Sequence, residues 1–186
     1  MKNALTQVLA KFSNELEARS LRYALIGGLA ASIRGRIRTT EDLDLILLCS
    51  LDESLAFVES LEESGFSSLV DDYEEIARSA LLIPLVHDVS GIQLDLAIGL
   101  SGFEQQIVER ADPMIIDGSE IFVATAEDVL LLKVLAGRPQ DLQDVDGIVN
   151  VQADQFDWQY CISIAKRLEE AVSVDLVEQI KRLQSG

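Results

Sequence analysis

The chain is poor in cysteine, proline, histidine and basic residues. Across 186 residues it holds two cysteines, three prolines and one histidine, and 15 lysines and arginines face 32 aspartates and glutamates. Cys49 and Cys161 stand in apolar surroundings. They are too few for a disulfide framework and too apolar in setting for a metal site, and they suit a reducing cytoplasm. The apolar runs all fall short of the ~18–20 residues that span a membrane. The opening MKNALTQVLAKFSNELEARS is amphipathic, carries Glu15 and Glu17, and lacks a small-residue cleavage site, so no signal peptide is read there. The net charge of −17 repels a phosphate backbone. Long DNA or RNA is therefore a poor partner, and a small metal-bound anion or a basic protein is a better one. The lone His87 ends an apolar run beside Asp88 and reads as a strand-end residue rather than a catalyst.

What is present fits a soluble globular protein, with 48% hydrophobic and 25% charged residues. The length allows one domain, or one domain with a helical extension. Leu5, Val8, Leu9, Phe12 and Leu16 recur at helical spacing and predict a helix over 3–20. RYALI (22–26) predicts a strand ended by Gly27-Gly28, then a short helix over 29–34 closed by Gly35. Leu43 to Leu48 reads as a buried strand, Leu51 to Ser64 as a helix stopped at Gly65-Phe66, and Asp71 to Glu75 as a loop or short helix. ALLIPLVHD (80–88) and GIQLDLAIG (91–99) form a hairpin pattern. A helix from Ser101 to Arg110 and strands near 113–116 and 120–124 follow. Thr125 suits a helix N-cap with Asp128 three residues on, Gly137 stops that helix, and Pro139 opens another. Residues 157–184 read as two more helices, with Trp158 in their core. The order predicts an α+β fold, with a mixed core over 1–124 and a helical region over 125–186 packed on it.

The residues able to do chemistry gather early. Asp42 and Asp44 alternate on a strand and share one face, with Leu43 and Leu45 on the other. Two carboxylates so close repel each other unless a cation intervenes, and Mg²⁺ takes such oxygens together with substrate phosphates. A solvated polar strand edge is the simpler reading. Asp95 sits in the apolar run IQLDLAI, where an unpaired carboxylate is costly. Beside the 43–48 strand it would complete the three carboxylates of a two-metal phosphoryl-transfer site; otherwise it lies with Gln93 on an exposed face. Gly27 and Gly28 allow close backbone approach to a ligand, and the following helix offers free N–H groups to an anion. Three of the 15 basic residues, Arg34, Arg36 and Arg38, fall within five positions. They make either a phosphate clamp or a solvated loop paired with Glu41 and Asp42. Downstream, Lys133 lies among leucines and covers apolar surface with its stem or reaches a phosphate. Asp141 and Asp144 share a helix face, where they favour the first turn or pair with Arg138.

Taken together, IGGLAASIRGRIRTTEDLDL resembles the signature of the DNA polymerase β-like nucleotidyltransferase superfamily: a Gly-Gly turn, thirteen residues, then D-L-D. It is similar to small bacterial members, including those of toxin–antitoxin and phage-abortive systems, in which an Arg and a Thr precede D-x-D as Arg38 and Thr40 do here. ATAEDVLLLKVLAGRPQDLQDV (124–145) looks like the later family segment, with Lys133, Arg138, Asp141 and Asp144 in its places. The resemblance spans roughly residues 20–150. It implies that Asp42, Asp44 and Asp95 are catalytic and hold a two-ion Mg²⁺ site. It implies that Gly27, Gly28, Arg38, Thr40 and Lys133 bind the nucleotide phosphates, with Arg138, Asp141 and Asp144 in support. The implied activity moves a nucleoside monophosphate from an NTP, ATP by default, to a hydroxyl on a small molecule, a protein or an RNA end. Gly28 departs from the Ser of many active members and leaves only backbone donors. The alternative is a weak or inactive binding module that partners a protein encoded nearby, such as a toxin.

Overall fold

The chain alternates buried and solvated residues through its first two-thirds and then turns helical. In the computed structural model this pattern folds as an α+β protein, described over residues 4–100, 102–171 and 174–185. The expected helix starts at Asn3 and Ser101 lie outside the described residues. The chain divides into two compact units. The first runs through Leu29 and resumes over Thr39–Ala124; the second joins Ala30–Arg38 to the residues from Thr125 onward.

The first unit contains α1 (Ala4–Ala18), β1 (Arg22–Ile26), the start of α2 (Gly27–Arg34), β2 (Asp42–Leu48), α3 (Leu51–Glu59) and β3 (Phe66–Ser68). It continues with α4 (Tyr73–Ala80), β4 (Leu82–His87), β5 (Gln93–Ile98), α5 (Gly102–Arg110), β6 (Asp112–Ile116) and β7 (Ser119–Val123). Its seven strands make one mixed sheet in the order β3-β4-β5-β2-β1-β7-β6. β2 runs parallel to β5 and β1 parallel to β7, while the other pairs are antiparallel. Alternation builds the core. Leu43, Leu45 and Leu47 of β2 and Leu94 and Leu96 of β5 are fully buried on one face. Leu9, Phe12 and Leu16 of α1 are fully buried too, and α1 touches β1, β2 and β7. Phe12 meets Phe57 and Phe66 edge-on at 5.8 and 5.1 Å. Each such large side chain adds about 1.5–3 kcal/mol on burial.

The second unit holds α6 (Ala126–Ala136), α7 (Pro139–Gln152), α8 (Trp158–Glu169) and α9 (Leu176–Ser185). Thr125 caps α6 by accepting the Asp128 N–H, and Gly137 ends it in the left-handed region at φ 63°. Buried Asp128 also accepts from the Tyr160 hydroxyl at 2.6 Å, which ties α8 to α6.

Several local expectations need correction. The helix α2 starts at Gly27 itself rather than after the glycines. The helix α3 stops at Glu59, where the bonding tightens by one residue: the Ser60 N–H is shared with the Phe57 carbonyl and the Leu61 N–H donates to Val58; a 3₁₀ turn follows at Glu62–Ser64. The acidic stretch after Val70 leads into α4, which runs on to Ala80. β3 was not expected, since its three residues are too short to show alternation. Trp158 is half-buried rather than core, tilted against Phe156 at 4.9 Å. Among the described residues, no helix is long and apolar enough to cross a membrane.

Candidate active site

In the first unit the site is built where β1 ends. Ile26 pairs with Asp44 of β2, and the chain then turns at Gly27 with φ +67°. A Cβ at Gly27 would stand 1.8 Å from Asp44 Oδ2. Glycine is thus required twice over, by its backbone conformation and by the close carboxylate. The Gly28 N–H points at Asp44 Oδ2 across 3.4 Å, a long contact. The first turn of α2 therefore faces a negative group, as its dipole favours.

Asp42 and Asp44 share the open face of β2, with Leu43 and Leu45 fully buried behind them. The Thr40 hydroxyl donates to Asp42 Oδ1 at 2.9 Å and orients that carboxylate. β5 lies directly beside β2, and Asp95 is the register partner of Asp44. Paired residues on neighbouring strands lie about 5 Å apart. A row thus crosses four strands: Ile26, Asp44, Asp95 and Pro84. Partial burial, and then the charge of Asp42, push the Asp95 carboxyl above its usual range.

These carboxylates suit a hard divalent cation in donor type and register. The negative charge pressing on Asp95 is what such an ion would relieve. Among the described residues, no group of three acidic, histidine or cysteine side chains is arranged to hold an ion as the side chains stand.

The arginine loop belongs to the second unit and has different partners from those expected. Arg38 Nε donates to Asp144 Oδ1 at 3.0 Å, and Arg36 Nε approaches the same oxygen at 3.8 Å without a hydrogen bond. Arg36 also reaches Gln143 Oε1 at 3.1 Å. The Ser32 hydroxyl donates to the Arg38 carbonyl, and the Gln152 amide to the Arg34 carbonyl. Lys133 is buried, with its ammonium 2.9 Å from Asp141 Oδ1 and 3.1 Å from Asp144 Oδ2. The second contact is an ion pair without hydrogen-bond alignment, because Asp144 Oδ2 finds no hydrogen-bond donor. Arg138 closes on Asp141 at 2.6 Å. Burial raises the Asp141 carboxyl, but bonds from Arg138 and Lys133 outweigh it and hold the group below its usual range.

The proposed residues thus gather in two constellations. Gly27, Gly28, Thr40, Asp42, Asp44 and Asp95 lie in the first unit, and Arg38, Lys133, Arg138, Asp141 and Asp144 in the second. Asp144 as the anchor of Arg38 was not anticipated. The available signal was a buried-side aspartate, one helical turn after Asp141, with no cation near it in sequence.

A family model described as "Nucleotidyltransferase of unknown function (DUF6036)" matches residues 3–182. No curated protein matches the sequence. Among solved structures, the fold is similar to an antigenic nucleotidyltransferase-like protein from Paracoccidioides brasiliensis, at TM-score 0.59 and 16% identity over 95% of this chain and 92% of that one. It is also similar to the antibiotic-resistance factor ANT(2'')-Ia, at TM-score 0.58 and 16% identity over 100% and 91% of the two chains. A third is the lincosamide antibiotic adenylyltransferase LnuA, at TM-score 0.55 and 15% identity over 79% and 96%.

Proposed function

We propose, for a chain that belongs to the DUF6036 nucleotidyltransferase family, that the carboxylate row of its first unit transfers a nucleoside monophosphate from an NTP to a hydroxyl acceptor. The observation that carries this reading is the register pairing of Asp95 with Asp44, beside the Gly27 turn. Asp42 and Asp44 would hold Mg²⁺ on the triphosphate, with Asp95 sharing a second ion. When bound, the ions supply charge stabilisation at the phosphoryl oxygens. The backbone N–H groups after Gly27 receive phosphate oxygens, and Asp44 gives up its contact with Gly28. The acceptor oxygen attacks the α-phosphorus, the bond to the β-phosphate oxygen breaks, and pyrophosphate leaves. Asp95, as a ligand of the second ion, would help activate the acceptor hydroxyl. Thr40 keeps Asp42 oriented. Lys133, Asp141 and Asp144 act within their own unit, where they hold the arginine loop in shape.

Calorimetry with Mg²⁺ and each NTP, ATP first, tests the site. Binding is expected in the wild type and is lost in Asp44→Ala; equal binding by both sinks the proposal. A second reading rests on the missing hydroxyl at Gly28 and the −17 charge: a binding module for a basic protein partner. Mass spectrometry of the chain expressed with its gene neighbour separates the two. A nucleotide's added mass supports transfer, and an unmodified stable complex supports binding.

A further inference from the structure

A cavity of about 530 Å³ opens in the first unit at the start of β1, with Glu17, Arg22, Tyr23, Glu109, Glu120 and Phe122 on its wall. It lies at the other end of β1 from Gly27, roughly 13 Å along the strand. Its volume is that of a small-molecule site, about 300–1,000 Å³. Two features of the wall define what would fit. The first is aromatic: Tyr23 and Phe122 meet edge-to-face at 5.8 Å and 90°. Tyr23 is buried, whereas Phe122 stays 39% exposed, so apolar ring surface remains for a visitor. The second is charge, since three carboxylates face one arginine. Glu109 accepts from Gln105 at 2.8 Å. Glu17 and Glu120 have no ion-pair partner among the described residues, and both press on the Tyr23 hydroxyl. Burial raises its pKa, hydrogen bonding with the Phe122 backbone and Ser13 offsets part of that, and the two glutamate charges add smaller upward pushes. An anion entering here is repelled, while a cation relieves the two glutamates and meets ring faces that attract it.

We propose that this cavity binds a small organic ammonium, with its apolar body against Phe122 and Tyr23 and its cationic head toward Glu17 and Glu120. The site is separate from the carboxylate row and does not depend on the nucleotidyltransferase reading.

Amide NMR of the full ¹⁵N-labelled chain tests the proposal, with phenethylammonium chloride as the probe and sodium phenylacetate as its anionic counterpart. Phenethylammonium is expected to give saturable shifts at the amides of Tyr23, Glu120 and Phe122, and phenylacetate none. In the double variant Glu17→Gln, Glu120→Gln the dissociation constant should rise at least tenfold; Phe122→Ala should weaken binding on its own. Unsaturable shifts scattered over the acidic surface overturn the proposal. So does equal binding of the two probes, or unchanged affinity in the double variant. If the double variant lost its fold, the comparison of the two probes on the wild type and Phe122→Ala would still decide.

Discussion

At the scale of single residues, Gly27 and Asp95 carry opposite kinds of cost. Gly27→Ala would place a methyl 1.8 Å from a carboxylate oxygen at φ +67°. Gly91→Ala meets the same backbone demand at φ +72° but has nothing within 4 Å. The second variant should therefore lose only the left-handed penalty of about 1–2 kcal/mol. Gly27→Ala should lose clearly more in urea unfolding, together with nucleotide binding; equal losses would show that Asp44 moves aside freely. Asp95 works the other way. A carboxyl raised in the native state leaves that state holding more protons than the unfolded chain, between the unfolded and folded pKa values. Stability then falls as pH rises from the ordinary carboxylate range through the folded pKa. Asp95→Asn should be more stable than wild type at pH 7, with the gap closing at acid pH, as denaturant titrations across pH would show. Such a gain, if it came with lost transfer activity, would mark a residue kept for chemistry at the expense of the fold.

At the scale of elements, α6 and α7 are joined by charge as well as by apolar contact. Lys133 is the buried cation between Asp141 and Asp144. Lys133→Met should cost about 3–5 kcal/mol, because two buried carboxylates lose their common partner. Arg138→Ala should cost less than about 1 kcal/mol, since the Arg138 side chain is 73% exposed. Thermal or urea unfolding of both variants checks the contrast. Helix ends with distinctive local chemistry were legible in advance: Thr125 caps α6, Gly137 stops it in the left-handed region, and Pro139 opens α7. The α3 end and β3 were not, because Ser60 and Phe66–Ser68 carry no distinctive spacing. Asp42 and Asp44 were legible by alternation. The adjacency of Asp95 was an assumption, because strand neighbours fifty residues apart leave no trace in a single sequence.

At the scale of the whole molecule, the α+β fold could be read from the resemblance, but the allegiance of the arginine loop could not. The loop's partners, Asp144 and Gln152, lie more than a hundred residues away. A chain ended at Ala124 keeps the entire sheet yet strips Arg38 and Arg34 of those partners. That fragment should lack the cooperative melt of the full chain in circular dichroism. A sharp melt with intact nucleotide binding would show that the loop needs no help from the helices. The division has a further result for ancestry. The polypeptide passes from one unit to the other after Leu29, returns after Arg38, and passes over again after Ala124. A gene exchange at the last of these points would join one parent's arginine loop to the other parent's α7. Such a hybrid would keep the anchor of Arg38 only where the newcomer still offers an acid in the place of Asp144, which ties the arginine loop to the helices that follow Ala124.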